Sequence, residues 1–227
     1  MRNFNSAFAA LIGSVVIGLS SANAATVVYQ NDFEGGNDAE LSGGAIAGTQ
    51  GFSAHGHGQS FYHNTSRNDA TTLSLAGLAP HSTVTITFDV ALIDSWDRVD
   101  TTYGIDTFNV SADGGLIFSE IAGNSRSRSR LGDMETSLGN LFGQTRFSDA
   151  TYTISLTFAH SGGNLDFSFF GGGIGAGLGY QGLLDENFAI DNITVTTDSL
   201  STPLPAAAWF MGAGIAGYAA SRRKKAA

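Results

Sequence analysis

The stretch "STVTITFDVALID" (82–94) alternates apolar with polar residues. Val84, Ile86, Phe88, Val90 and Leu92 share one parity, and Thr83, Thr85, Thr87 and Asp89 share the other. Successive side chains of a strand point to opposite faces, so a run of this kind has one face for a core. The pattern returns along the chain. "YTISLTF" sets Tyr152, Ile154, Leu156 and Phe158 on one side, and "NLDFSFF" does the same with Leu165, Phe167 and Phe169. "TTLSLAGLAPHS" reads as a strand followed by a Gly/Pro corner. "TFNVSADGGLIFSEI" reads as a hairpin whose turn uses Asp113, Gly114 and Gly115 at positive φ. Long helical periodicity is nearly absent. Many one-faced strands can bury those faces only against another sheet, so the expected class is all-β, a two-sheet β-sandwich or jelly roll.

Three segments interrupt the alternation. In "LGDMETSLGNLF", Leu131, Met134, Leu138 and Leu141 fall at helical spacing, which predicts a short amphipathic helix packed on the sandwich. "GGGIGAGLGYQG" (171–182) contains Gly177-x-Gly179-x-x-Gly182, formally a dinucleotide fingerprint, but no βαβ unit surrounds it. It is read as a flexible connection. In the last strand Phe188 and Ile190 share a parity, yet the next apolar residues are Ile193 and Val195. The slip at Asp191-Asn192 predicts a β-bulge.

Both ends differ from this middle. Arg2, an apolar run from about Phe8 to Leu19 and the small-x-small Ala22-Asn23-Ala24 have the layout of a secretory signal. Residues 1–24 are therefore expected to be removed by signal peptidase between Ala24 and Ala25. At the other end, Leu204 to Ala220 carries no charge and is barely long enough to cross a bilayer. Arg222, Arg223, Lys224 and Lys225 follow as a positive stop that stays cytoplasmic. The domain boundaries expected are 25–201 for the sandwich and 202–227 for the C-terminal segment, a transient inner-membrane anchor. Residues 25–201 hold all 20 acids, six arginines and no lysine. Such a surface repels nucleic acid and anionic lipid, and can attract divalent cations. With no cysteine in the chain, disulfides and thiolate metal sites are excluded.

Candidate chemistry rests on the acids. Asp32 and Glu34 end the first strand. Asp94, Asp97, Asp100 and Asp106 span one loop. Asp185, Glu186 and Asp191 flank and enter the last strand. Ca²⁺ takes six to eight hard oxygens, which loops between strands can supply; solvated loop acids are the alternative for each cluster. The first expected site is Asp32, Glu34 and Asp191, where the first and last strands lie side by side. Asp94, Asp97 and Asp106 form the second. His55, His57 and His63 have the same parity, but two intervening glycines deny them the rigidity of a Zn²⁺ site, and they read as polar residues of an exposed strand or loop. Arg126, Arg128 and Arg130 could face an anionic polymer if extended, or serve as an exposed Ser/Arg loop. Neither G-x-S-x-G nor H-E-x-x-H occurs, and no catalytic residue is assigned.

The C-terminal segment "PLPAAAWFMGAGIAGYAASRRKK" resembles the sorting signal of PEP-CTERM proteins, in the variant whose motif reads Val-Pro-Leu-Pro-Ala. Pro203, Leu204, Pro205 and Ala206 match, and Thr202 stands where Val is usual. The resemblance implies processing by an exosortase-type membrane enzyme of Gram-negative bacteria, with the domain ending at the cell surface or outside the cell. "LSLAGLAPHSTVTITFDVALIDSWD", "DTFNVSADGG", "YTISLTFAHSGGNLDFSFFG" and "LLDENFAIDNITV" are similar, in order, to a jelly-roll domain that accompanies such tails. Phe188-Ala189 stand where that pattern has Trp. Related jelly rolls include carbohydrate-binding modules with structural Ca²⁺, which implies extracellular polysaccharide as a partner. The alternative is a structural matrix protein with no small ligand; a carbohydrate-active enzyme comes third. Exposed aromatics on a concave sheet face would favour the glycan-binding reading, and a flat polar face the structural one.

Overall fold

The computed structural model describes residues 25–97, 104–124, 138–143, 147–175, 179–183 and 185–198. All of these residues lie in one compact unit, Ala24–Leu204. The expected signal peptide and sorting segment lie outside the described residues, as do Arg126, Arg128, Arg130, Leu131 and Met134. Leu138 and Leu141 are described and are not helical. Among the described residues no helix is long and apolar enough to cross a membrane.

Among the described residues eleven strands follow in order: β1 Ala25–Asn31, β2 Leu41–Ser42, β3 Ala45–Gly48, β4 Ser60–Asn64, β5 Thr71–Ala76, β6 Thr83–Asp94, β7 Ile105–Ala112, β8 Gly115–Ile121, β9 Ala150–Ala159, β10 Asn164–Ile174 and β11 Glu186–Asp198. A 3₁₀ helix spans Gln50–His55. The strands form two antiparallel sheets. One runs β3-β4-β11-β6-β9 with β1 also paired to β11, and the other runs β2-β5-β10-β7-β8. This is the two-sheet sandwich that the alternation demands. Val84, Ile86, Phe88, Val90 and Leu92 of β6 are all fully buried, and they meet Leu165, Phe167 and Phe169 from the other sheet. Phe88 and Phe169 contact edge to face at 5.0 Å, and Phe108 and Phe188 do so at 5.3 Å. Each fully buried side chain of this kind contributes roughly 1.5–3 kcal/mol of transfer free energy.

One local expectation holds in full and another for two of its three residues. Asp113 (φ 48°) and Gly114 (φ 77°) make the two-residue turn between β7 and β8. Both central residues of a type I′ turn need positive φ, and aspartate tolerates it. Gly115 is already the first residue of β8. In β11 the pairing to β6 shifts register between Asp191 and Thr194, with Asn192 at φ 49°. The bulge moves the core face from Phe188 and Ile190 to Ile193 and Val195, all of them fully buried.

The glycine-rich segment differs from its expectation. Gly171, Gly172 and Gly173 belong to β10 and pair with Phe108, Thr107 and Asp106 of β7. They are glycine because another part of the chain lies directly on them. A Cβ on Gly171 would penetrate the Tyr180 ring, and one on Gly173 would strike the backbone of Gly179. Here glycine permits close approach.

The six-stranded sheet is also covered on its other side near the start of β11. Phe61, Ala91, Ile93 and Ala189 have the parity opposite to the core, and Phe52 of the 3₁₀ helix seals them, with Leu141 and Phe142 packed alongside. At the far end of β11, Asp198 accepts hydrogen bonds from Ser82 N–H (2.8 Å), Ser82 O–H (2.5 Å) and Thr83 N–H (2.6 Å). These donors hold its carboxyl well below the usual range.

Replacing Gly171 with Ala should displace Tyr180 from the core. The expected cost is about 1–3 kcal/mol by denaturant titration, the usual range for overpacking a filled site. An unchanged midpoint would contradict the close approach.

Candidate functional site

At the end of the sandwich where β6 finishes, β7 and β11 each carry an inward-pointing acid within their first two residues. Asp106 has the parity of Phe108 and Val110, and Glu186 that of Phe188 and Ile190. Each is 1% exposed. Asp97, half-buried in the segment after β6, joins them, and one carboxylate oxygen from each of the three lies within 4.8 Å of the others. The backbone fixes the arrangement. Asp106 N–H donates to Asp97 O at 2.7 Å. In return Asp97 N–H donates to Asp106 Oδ2, and Gln181 N–H donates to Glu186 Oε2. Trp96 walls the site, its indole N–H donating to Asn187 O at 2.9 Å and its ring 5.0 Å from that of Tyr180. Asp185 stands beside the group with its carboxylate held by Ser95 O–H at 2.7 Å.

The electrostatics follow from geometry. Burial, and then neighbouring negative charge, raise the Asp106 carboxyl from 3.8 to about 7 and Glu186 from 4.5 to about 9. Burial and the charge of Asp185 raise Asp97. Burial, then the charges of Glu186 and Asp106, push the Tyr180 phenol up. Among the described residues no Lys or Arg pairs with these carboxylates; the ion pairs there are His57–Asp191 and His160–Asp113. All the donors are hard oxygens, the set that suits Ca²⁺ or Mg²⁺ rather than a softer metal.

The sequence-predicted residues are partly regrouped. Asp97 and Asp106 of the second expected set come together, with Glu186 in the place of Asp94. Asp94 turns away at φ 66°, and its N–H donates to Asp149 Oδ1 at 2.9 Å. Asp32, Glu34 and Asp191 do not form such a group. Glu34 Oε1 accepts the N–H groups of Gln59 (2.6 Å) and Ser60 (2.9 Å), and Asp32 Oδ1 accepts Glu34 N–H at 3.2 Å. Asp191, 1% exposed, lies 3.3 Å from His57 Nδ1, and Nε2 of that ring is 2.6 Å from Thr151 Oγ1. The order hydroxyl, imidazole, carboxylate matches a nucleophile relay. However, Phe52 and Phe61 pack on the His57 ring, and His57 is 1% exposed, so no substrate reaches it. His57 instead pins the segment after the 3₁₀ helix to β9 and β11, which corrects its reading as an exposed polar residue.

A second feature had no sequence signal. An open cleft of about 380 Å³ lies at the β3–β4 edge, lined by Gly43, Gly44, His63, Thr65, Ser66 and Asp69 among others. Gly44 lies so close to Tyr62 and His63 O that a Cβ there would collide with both. His63 Nε2 is 2.5 Å from Asn187 Oδ1, an oxygen that only accepts, so this nitrogen carries the proton. Burial lowers the pKa of the ring and keeps it neutral at pH 7. Ser66 O–H donates to Asp69 Oδ2 at 2.9 Å.

Neither a family model nor a curated protein matches the chain. Among solved structures it is similar to the K3 cleaved adhesin domain of Lys-gingipain from Porphyromonas gingivalis. That match has 16% identity and TM-score 0.41, and covers 76% of this chain and 100% of that one. It is also similar to a xylan-binding domain of family CBM22 from Paenibacillus barcinonensis, at 11% identity and TM-score 0.41, over 79% of this chain and all of that one. A family 35 carbohydrate-binding module from Clostridium thermocellum gives 13% identity and TM-score 0.34, over 78% and 99%. With TM-scores below 0.5, these likenesses leave function to this chain's own residues.

Because Asp106 and Glu186 have raised folded-state pKa values, the folded chain keeps protons that the unfolded chain has released. Their contribution is therefore most favourable below about pH 4 and is lost as pH rises towards 9. In chelator, the melting temperature should fall more steeply from pH 5 to 9 in the wild type than in Glu186→Gln. Parallel curves would show that the buried carboxyl does not titrate in this window.

Proposed function

We propose that the chain is an exported β-sandwich that works at the cell surface or in the extracellular matrix and binds a polysaccharide there. The observation that supports binding most directly is the cleft at the β3–β4 edge. Its volume of about 380 Å³ falls at the small end of ligand pockets, which run from roughly 300 to 1,000 Å³. Its imidazole, hydroxyls, carboxylate and glycine backbone offer the donors and acceptors that sugar hydroxyls need. Asp69 in the lining, on a domain with six arginines against 20 acids, disfavours uronic acids and favours a neutral or amino-sugar chain. Export rests on the N-terminal layout, and final release on the tail's likeness to an exosortase signal.

A second reading has its own observation. Among the described residues no Trp, Tyr or Phe is fully exposed; Tyr29, Phe118, Phe142, Phe147, Phe158 and Phe170 are half-buried, and the fully exposed large apolar side chains are Val27, Leu116, Ile174 and Leu183. No described aromatic ring thus stands free on the surface as a sugar-stacking platform, which favours a structural matrix protein. No catalytic role is assigned to either feature.

Affinity electrophoresis of the full chain in gels of neutral and acidic matrix polysaccharides distinguishes the two readings. Retardation by a neutral polymer, weakened about tenfold or more in both His63→Ala and Asp69→Ala, is the expected result. Mobility unchanged in every polymer would favour the structural reading. In the native host, deleting 203–227 should change the final location of the domain. Mature protein there should lack Arg222 to Lys225 by intact mass, and recovery of the full C-terminus would remove the sorting proposal.

A further inference from the structure

We infer that Asp97, Asp106 and Glu186 hold a divalent cation, Ca²⁺ by the chemistry of the donors, which cross-links the two sheets at one end of the sandwich. The carboxylates alone would not carry this. What points to an ion is the set of polar atoms left over around them. Glu186 Oε1 is buried and receives no N–H or hydroxyl donor, while Oε2 of the same group is held by Gln181 N–H; beyond that, the side chain is in hydrogen-bond range only of the Asp106 carboxyl, one acid against another. Tyr180, 5% exposed, has a phenol oxygen with no hydrogen-bond partner, and its ring packs on Trp96 and Phe188, the neighbours of Asp97 and Glu186 in sequence or strand. A buried polar atom without a partner costs roughly 1–3 kcal/mol, and more when charged, so two in one place call for an occupant.

The orientation also fits. In Asp106 and Glu186 one oxygen is fixed by a backbone N–H. Fixing one oxygen sets the direction of the other, as outer-shell hydrogen bonds do for metal ligands. The three ligands come from separate parts of the chain. Asp97 follows β6, Asp106 is the second residue of β7 in the five-stranded sheet, and Glu186 opens β11 in the six-stranded sheet. An ion on all three ties both sheets together without a disulfide. Ca²⁺ is preferred to Mg²⁺ because it tolerates irregular oxygen shells of six to eight ligands, including bidentate carboxylates, whereas Mg²⁺ requires a near-ideal octahedron. This site is distinct from the cleft, and it stands whether or not the domain binds glycan.

The test uses the full-length chain at pH 7.5, stripped with EDTA and then given CaCl₂ or MgCl₂. At a hundredfold excess over the dissociation constant, Ca²⁺ should raise the melting temperature by about 5–10 °C, and Mg²⁺ should raise it less. Native mass spectrometry should show one bound ion. Glu186→Gln and Asp97→Asn should each lose most of the rise. Asp97 is only half-buried, so its variant remains informative if Glu186→Gln fails to fold. Tb³⁺, a luminescent stand-in for Ca²⁺, should give emission sensitised by the adjacent Trp96 and Tyr180, displaced by Ca²⁺ and weakened at least tenfold in Asp97→Asn. Equal melting temperatures with EDTA and Ca²⁺ would overturn the inference, leaving protons alone to neutralise the acids. A Ca²⁺ effect retained in Asp97→Asn would place the ion elsewhere and overturn the assignment.

Discussion

Strand β11 bonds to β6 along one edge, while β4 and β1 share the other: β4 pairs at Phe188–Ile190 and β1 between Ile193 and Asp198. In the six-stranded sheet only β3 and β9 do not touch it, and they hang on β4 and β6. One strand can serve two successive neighbours because the bulge at Asp191–Asn192 divides it. Without the extra residue, Ile193 and Val195 would face away from the core while Phe188 and Ile190 faced it, since a one-residue slip exchanges the faces of a strand. The bulge keeps both halves apolar on the inside. Asn192, turned outward at positive φ, then bonds to Asp89 Oδ2 at 2.7 Å and to Gly56 O at 3.0 Å. The chain segment that carries His57 is thereby docked on the strand that organises the sheet.

That organisation explains why acids can be kept inside. β7 and β11 each carry a carboxylate at a core-facing position within their first two residues, where burial of charge is costly unless something compensates. Strand geometry brings the two openings together because both sheets end at the same rim. The sequence contained the sign of this. Asp106 is in phase with Phe108 and Val110, and Glu186 is in phase with Phe188 and Ile190. An acid in phase with a strand's apolar residues is a stronger indicator than acids crowded in one loop. Crowding pointed to Asp94, which a positive-φ turn carries away. Sequence proximity also could not pair Asp97 with Glu186, whose meeting depends on the sheet-to-sheet packing.

Most of the fold was legible, because a half-buried strand writes its two faces into alternate residues. The β7–β8 turn was legible because few residues other than Asp, Asn and Gly accept its dihedrals. What was obscured came from crossings. Gly171 to Gly173 look like a flexible linker until Tyr180 and Gly179 are placed on top of them; the same absence of side chains serves looseness in one setting and contact in the other. His57 reads as exposed because its neighbours Gly56 and Gly58 do. Its burial comes from Phe52 and Phe61, which fold over it from either side in sequence. The cleft between β3 and β4 left no pattern, since its polar lining is ordinary loop composition.

The apolar layer beneath the 3₁₀ helix has a dynamic consequence. Phe52, Phe61, Ala91, Ile93 and Ala189 form a cluster separate from the main core, divided from it by the thickness of one sheet. A unit with its own buried surface can open on its own, so this cap can lift while the sandwich stays folded. Amide protons of the 3₁₀ turn would then exchange with solvent by a sub-global route, and those at the centre of β11 only when the whole domain opens. Two buried clusters, one on each side of the six-stranded sheet, would then give two levels of cooperativity, with β11 in the slower.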